Sequence, residues 1–240
     1  MAVYNLIKVY LIGGRNKQRA EHSLRFFKTG PGEYGEGDLF LGMSMSEQRI
    51  VAKRYYKEAT ITDISALLKG KYHEERMVAL LILVFKYKKA GDAERKKIFD
   101  FYVKNAKRVN NWDLVDVTCR DIVGRYIFDH PSAANREILY RLAGSGDLWE
   151  RRIAIISTAY FISKNEFADT LKISRILMRD KHDLIHKAVG WMLREVGKRS
   201  LETERAFLDA YADKMPRTML RYAIEKFPES IRKRYLSKPK

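Results

Sequence analysis

Apolar residues recur at helical spacing along almost the whole chain, as in Ile98, Phe101 and Tyr102 and again in Ile153, Ile156, Ala159 and Tyr160. No stretch alternates apolar and polar residues for long enough to predict a strand. Turn-forming residues punctuate the helical stretches. Asn110 and Asn111 stand where an N-cap belongs, Gly144, Ser145 and Gly146 separate two helices, and Pro131, Pro216 and Pro228 mark turns or first helical positions. Helices are also expected over 5–12 and 16–28.

A repeat emerges from the starts of the basic, strongly helical segments, because Arg76, Asp113, Glu150 and Lys187 follow one another at intervals of 37 residues. Such an interval holds a pair of helices. Segments 74–89, 111–128, 148–164 and 183–199 are the expected second helices, with 95–107, 136–143 and 167–179 as first helices. Stacked pairs of this length form an all-α solenoid of the HEAT or armadillo type, in which each repeat buries its apolar stripe against its neighbours. Equivalent helices then line one concave surface, able to receive a long partner such as duplex DNA. The period alone leaves a protein-interaction scaffold equally open.

Composition sharpens this picture. The 240 residues, 46% of them hydrophobic, are enough for one substantial core or two small ones, and a continuous solenoid favours a single domain over 1–240. The net charge is +17, from 47 Lys and Arg against 30 Asp and Glu spread along the chain, so a basic groove and a polyanionic partner are expected. Nucleic acid and anionic membrane both qualify. The longest apolar run, Met77 to Phe85, falls far short of the ~20 residues that span a bilayer. The first residues lack the basic region and small-residue cleavage site of a secretory signal, so a cytoplasmic protein without a membrane partner is expected, associated with the nucleoid when bound to DNA. Cys119 is the only cysteine, which excludes an intrachain disulfide, and no nearby His stands ready to activate it.

Three stretches carry candidate chemistry. In Asn111-Trp112-Asp113-Leu114-Val115-Asp116, Trp112 and Asp116 are four apart and share a helix face. In Lys187 to Arg194, Lys187, Trp191 and Arg194 form one stripe, with Lys198 a turn further on. In Trp149-Glu150-Arg151-Arg152, only one of the two arginines can point inward. Each has a plainer reading alone: a Trp at helical spacing is usually core, and an early helical Asp usually interacts with the dipole. The aromatic, carboxylate and cation on equivalent helices point together to a site. Two other motifs are discounted. His182-Asp183-Leu184-Ile185-His186 differs from the zinc-protease HExxH in its shorter acid and lacks a third ligand. The stretch Gly30 to Asp38 lacks the Gly-Lys-Ser/Thr ending of a P-loop, carries phosphate-repelling Glu33, Glu36 and Asp38, and reads as a mobile surface loop. His22, His73 and His130 are scattered and suggest nothing.

Taken together, these stretches resemble the DNA alkylation repair enzymes of the AlkD type. Asn111 to Asp116 is similar to the family's WD-x-VD motif, Trp149 to Ile155 to its W-x-x-R-x-A pattern, and Lys187 to Glu195 to its KAIGW-x-LRE. Similarity extends to Asp38-Leu39-Phe40-Leu41-Gly42 and to Met215 through Arg221. The resemblance implies a HEAT-like fold, a monomer, and hydrolysis of the N-glycosidic bond of purines alkylated at N3 or N7 in duplex DNA, as base excision repair without metal or cofactor. It implies catalytic roles for Asp116, Trp112 and Trp191, and DNA contacts for Arg152, with Lys187 and Arg194 extending the phosphate track. It also implies a lesion engaged from the backbone side and left largely stacked, so that no tight base pocket is needed. Relatives that bind DNA without catalysis are the alternative.

Duplex binding should fall steeply with salt, since a protein neutralising six or more phosphates loses about 10³-fold or more in affinity between 50 and 200 mM salt. A titration series at several salt concentrations checks this, and a shallow slope would instead favour the protein scaffold.

Overall fold

The computed structural model describes residues 2–237. Among these residues the regular elements are all helical, and the sole β feature is an isolated parallel bridge between Leu39 and Tyr72. The chain is an all-α helical repeat protein. Contacts divide it into two compact units, Met1–Leu114 and Val115–Lys240.

The first unit holds α1 (Val3–Gly13), α2 (Lys17–Phe26), α3 (Met45–Tyr55), α4 (Ile61–Leu68), α5 (His73–Lys89) and α6 (Asp92–Lys104), and ends in the first turn of α7 (Trp112–Cys119). Its centre is α5, against which α1, α3, α4 and α6 pack. Every residue of α5 from His73 to Val84 is buried. A helix buried all round needs apolar residues on every face, which accounts for the run Met77 to Phe85. No described helix is long and apolar enough to cross a membrane.

The second unit takes up the rest of α7, a single π-helical turn at Arg120–Gly124, α8 (Arg125–Asp129), α9 (Ala133–Ala143), α10 (Leu148–Ser157), α11 (Ala159–Ser163), α12 (Ala168–Leu177), α13 (Asp183–Arg199), α14 (Leu201–Tyr211), α15 (Arg217–Ala223) and α16 (Glu229–Leu236). Here α13 is central, packing against α10, α11, α12, α14 and α15. Helices α9 with α10 and α12 with α13 are the helix pairs that the 37-residue interval predicts. The expected helix over 148–164 is broken at Thr158, whose hydroxyl bonds back to the carbonyl of Ile155 at 2.7 Å.

Local chemistry sets the starts of these helices. Ser44 with Glu47 and Thr60 with Asp63 form capping boxes at α3 and α4, two helices in a stretch that the repeat interval does not reach. Asn16, Ser132, Asp147, His182 and Ser200 cap α2, α9, α10, α13 and α14 through their side chains, and Pro216 and Pro228 immediately precede α15 and α16.

The π turn interrupts what the sequence presents as one helix over 111–128, and its last residue explains its placement. A Cβ on Gly124 would lie 2.1 Å from the Ser157 carbonyl oxygen and 3.2 Å from Cβ of Tyr160. The helix can approach the end of α10 this closely only without a side chain there. Gly124→Ala should lower stability by about 1–3 kcal/mol through overpacking against backbone. Gly146→Ala, where an added Cβ meets nothing within 4 Å, should stay within about 0.5 kcal/mol of wild type in the same denaturant melts.

Candidate functional site

Asp116 stands on α7, and its carboxylate is gripped by Arg152 of α10. Nε and Nη2 of the guanidinium donate to Oδ1 and Oδ2 at 2.9 and 2.8 Å, a two-pronged pairing that fixes the plane of the carboxylate. Nη1 of Arg152 donates to the carbonyl of Leu184, in the first turn of α13, at 2.6 Å. One guanidinium therefore ties α7, α10 and α13 together. Arg152 is buried, whereas 16% of the Asp116 side chain is exposed. Arg151 turns the other way, to Asp180 at 2.6 Å and the Ser145 carbonyl at 3.0 Å, so the adjacent arginines diverge. The pair differs from the sequence expectation in one respect. Arg152 is expected at a phosphate, but its main visible work is to hold Asp116, because a buried guanidinium needs an internal counter-charge.

Trp191 is half-buried on α13, and its indole N–H donates to Oε1 of Glu195 at 3.1 Å. Lys198 donates to the same oxygen at 2.6 Å. Beside the indole lies a hollow of about 720 Å³ whose walls include Arg120, Arg194, Lys198 and Arg199. Arg194 is ion-paired with Glu225 of the following repeat, and Lys187 with Asp183 at 2.8 Å one turn back on α13. A phosphate would meet both as cations that already have carboxylate neighbours.

In the first unit, Trp112 opens α7 in an aromatic cluster. Its ring stacks on Phe27 at 5.2 Å and meets Phe26 edge-on at 5.7 Å, and its indole N–H donates to the hydroxyl of Tyr34 at 3.2 Å. Asn111, fully buried, accepts from the Trp112 amide at 2.8 Å and donates to Asp38 at 3.2 Å. Asp38 also accepts from Arg76 at 2.6 Å. Most of the 30–38 loop lies at the surface, and these contacts anchor its end. Gly35 and Asp38 are buried, and the end of the loop is tied to α5 and to the start of α7.

His73 is likewise far from uninformative. It packs against both Phe27 and Phe40, centroids 5.1 and 4.8 Å away, while those two rings stack on each other at 5.0 Å, and its Nε2 lies 2.9 Å from Asp113 and its Nδ1 3.6 Å from Asp38. Burial works to discharge the imidazole, but the charge and hydrogen bond of Asp113 and the nearby carboxylate of Asp38 outweigh it, raising the pKa to about 9. The signal available in the sequence was position. His73-Glu74-Glu75-Arg76 leads directly into the longest apolar run, so charges at the start of a fully buried helix had to find partners.

Of the discounted features, His182 is the N-cap of α13, its Nδ1 accepting from the Leu184 amide, and His186 bonds the Asp180 carbonyl at 2.6 Å. No group of three or more metal-ligating side chains occurs among the described residues. Cys119 is buried, and burial pushes its thiol up, well out of the reactive range.

The fold is an all-α helical repeat scaffold. The model of the DNA alkylation repair enzyme family matches residues 7–227, and the chain belongs to that family. Among solved structures, it is similar to a predicted DNA alkylation repair enzyme from Enterococcus faecalis, at 17% identity over 90% of this chain and 97% of that one, with a TM-score of 0.70. It is also similar to AlkD2 from Streptococcus mutans, at 16% identity over 89% and 99%, with a TM-score of 0.57. At these identities the likeness is one of fold. No curated protein sequence matches the chain.

The raised pKa of His73 fixes a pH dependence. A folded-state value near 9 against 6.5 means that the folded chain holds a proton the unfolded chain has released between those limits. The stabilisation is complete below about pH 6.5 and is lost as the pH rises through about 9. The stability difference between wild type and His73→Gln should shrink by a few kcal/mol across that window, as urea titrations at intervals of one pH unit would measure.

Proposed function

We propose that this protein is a DNA glycosylase that hydrolyses the N-glycosidic bond of purines alkylated at N3 or N7 in duplex DNA. The observation that carries the reading is the Asp116 carboxylate, oriented by Arg152 through two hydrogen bonds while 16% of its side chain remains exposed. Membership of the DNA alkylation repair family supplies the context, and the net charge of +17 suits a polyanion.

The chemistry asks little of the protein. An N3- or N7-alkylated purine carries a positive charge, so when the C1′–N bond breaks its electrons neutralise the departing base and no general acid is needed. The sugar left behind is oxocarbenium-like. A fixed carboxylate lowers the energy of that cation, and polarises the water that attacks C1′ and gives up a proton. In this reading Arg152 is a positioning residue for Asp116. Trp191 offers a π face to the cationic base, worth about 0.5–2 kcal/mol depending on desolvation, and Trp112 is the second aromatic that the family resemblance assigns to the reaction. Lys187 and Arg194 meet backbone phosphates, which positions the duplex without reading its sequence. The reading requires no cofactor, and a monomer suffices.

Single-turnover release of 7-methylguanine from a defined duplex, compared between wild type and Asp116→Asn at equal DNA saturation, tests this. The variant should be slower by on the order of 10²–10³ with DNA affinity unchanged or slightly raised. Release at full rate by the variant would remove Asp116 from the mechanism. Binding without release by either protein would make the chain a non-catalytic DNA-binding member of the family.

A further inference from the structure

The outer edge of the second unit carries a feature that base excision does not use. Helices α12 and α14 both pack on α13, and a groove of about 710 Å³ runs between them over Leu171, Ala206 and Phe207. At one end it meets a second hollow of about 340 Å³, with Arg175 and Tyr211 common to both. The walls of that hollow hold Arg175, Arg179 and Lys214 around Met178 and Tyr211, with no carboxylate among them. None of these three cations forms an ion pair with any described residue, in contrast to Arg136, Arg151, Arg152 and Arg194 of the same unit. The far end of the groove is marked by Glu202. The groove is thus apolar along its floor, cationic at one end and acidic at the other.

Part of the cationic end has a local cause, since basic residues complement the negative C-terminal poles of α12 and α14. That accounts for their sign but not for their facing one another across a hollow without a counter-charge. The gradient selects the occupant. Duplex DNA would present phosphates along the whole groove and leave its accessible apolar floor at Leu171 and Ala206 unused. A second copy of a chain with a net charge of +17 would bring positive surface to positive surface. A short peptide with one or two apolar anchors beside a cluster of Asp or Glu satisfies both the floor and the cationic end, and Glu202 sets its direction.

We infer that the α12–α14 groove is a docking site for a short acidic, apolar-anchored segment of a partner protein. The groove shares no lining residue with the hollow beside Trp191, so the docked segment leaves that hollow open.

Selection of a random 12-residue peptide library on the immobilised full chain tests the inference. The comparison protein is the double charge reversal Arg175→Glu with Lys214→Glu, both at exposed positions without ion pairs. Enriched peptides should combine an aromatic or aliphatic residue with neighbouring Asp or Glu. In fluorescence polarisation they should bind the double variant at least about tenfold more weakly. The variant should keep the circular dichroism spectrum and the 7-methylguanine release rate of wild type, if wild type has that activity. No enrichment, or peptides that bind both proteins equally, would overturn the inference. So would loss of duplex affinity in the double variant, or a concentration-dependent dimer that the double variant abolishes. Because the primary readout is peptide binding, it stands apart from whether Asp116 supports excision.

Discussion

A charge placed inside a stack of helices has to meet an opposite charge there, or the stack opens. Breaking a buried ion pair by removing one member costs about 3–5 kcal/mol, a large share of a domain's stability. This chain buries charge where its repeats meet. In the first unit, four consecutive charged residues, His73 to Arg76, are buried at the start of α5. Arg76 and His73 face Asp38, Glu74 accepts the amides of Leu41, Gly42 and Met43, and Glu75 faces Lys8 at 3.3 Å. In the second unit, Arg152 meets Asp116 and Arg136 meets Asp169. Asp116 to Arg152 spans 36 residues, close to the repeat interval, and joins α7 to α10, whereas Asp38 to Arg76 ties a loop ahead of the repeats to α5.

This constraint gives the candidate site its quality. A surface carboxylate moves and is screened by salt. Asp116 cannot reorient freely, because the guanidinium that holds it is locked to the Leu184 carbonyl. Such preorganisation is what a group needs if it is to stabilise developing charge without first rearranging. The same logic explains the neighbourhood of Trp112, where Asn111 accepts from the Trp112 amide with one end of its side-chain amide and reaches the buried Asp38 with the other.

The basic character of the chain therefore divides into two populations. Arg76 and Arg152 are internal parts of the scaffold, and the partly exposed Arg136 and Arg151 each face a buried carboxylate side chain. Arg175, Arg179 and Lys214 are exposed and form no ion pair with a described residue, and the net charge of +17 counts both alike. Only the unmatched cations and those with exchangeable surface partners, such as Lys187 beside Asp183, are ready to meet an anion from outside.

The sequence by itself determined the all-helical class, the helix-pair interval and the segments at 74–89 and 183–199, because apolar periodicity is a local property that survives into the folded chain. It also carried the family motifs around Trp112, Asp116, Arg152 and Trp191. Helices α3 and α4, with their capping boxes at Ser44 and Thr60, fall in a stretch for which the sequence reading expected no helix. Which charges pair was decided only by tertiary structure. Arg152 and Asp116 are 36 residues apart and His73 and Asp113 are 40 apart, and no local pattern states which way such side chains turn. The ring stack around His73 needed Phe27 and Phe40 brought from either side of the loop, and the π turn at Gly124 needed the carbonyl of Ser157 pressed against it. Burial is a property of the assembled helices, and it is burial that obliges a charge to find its partner.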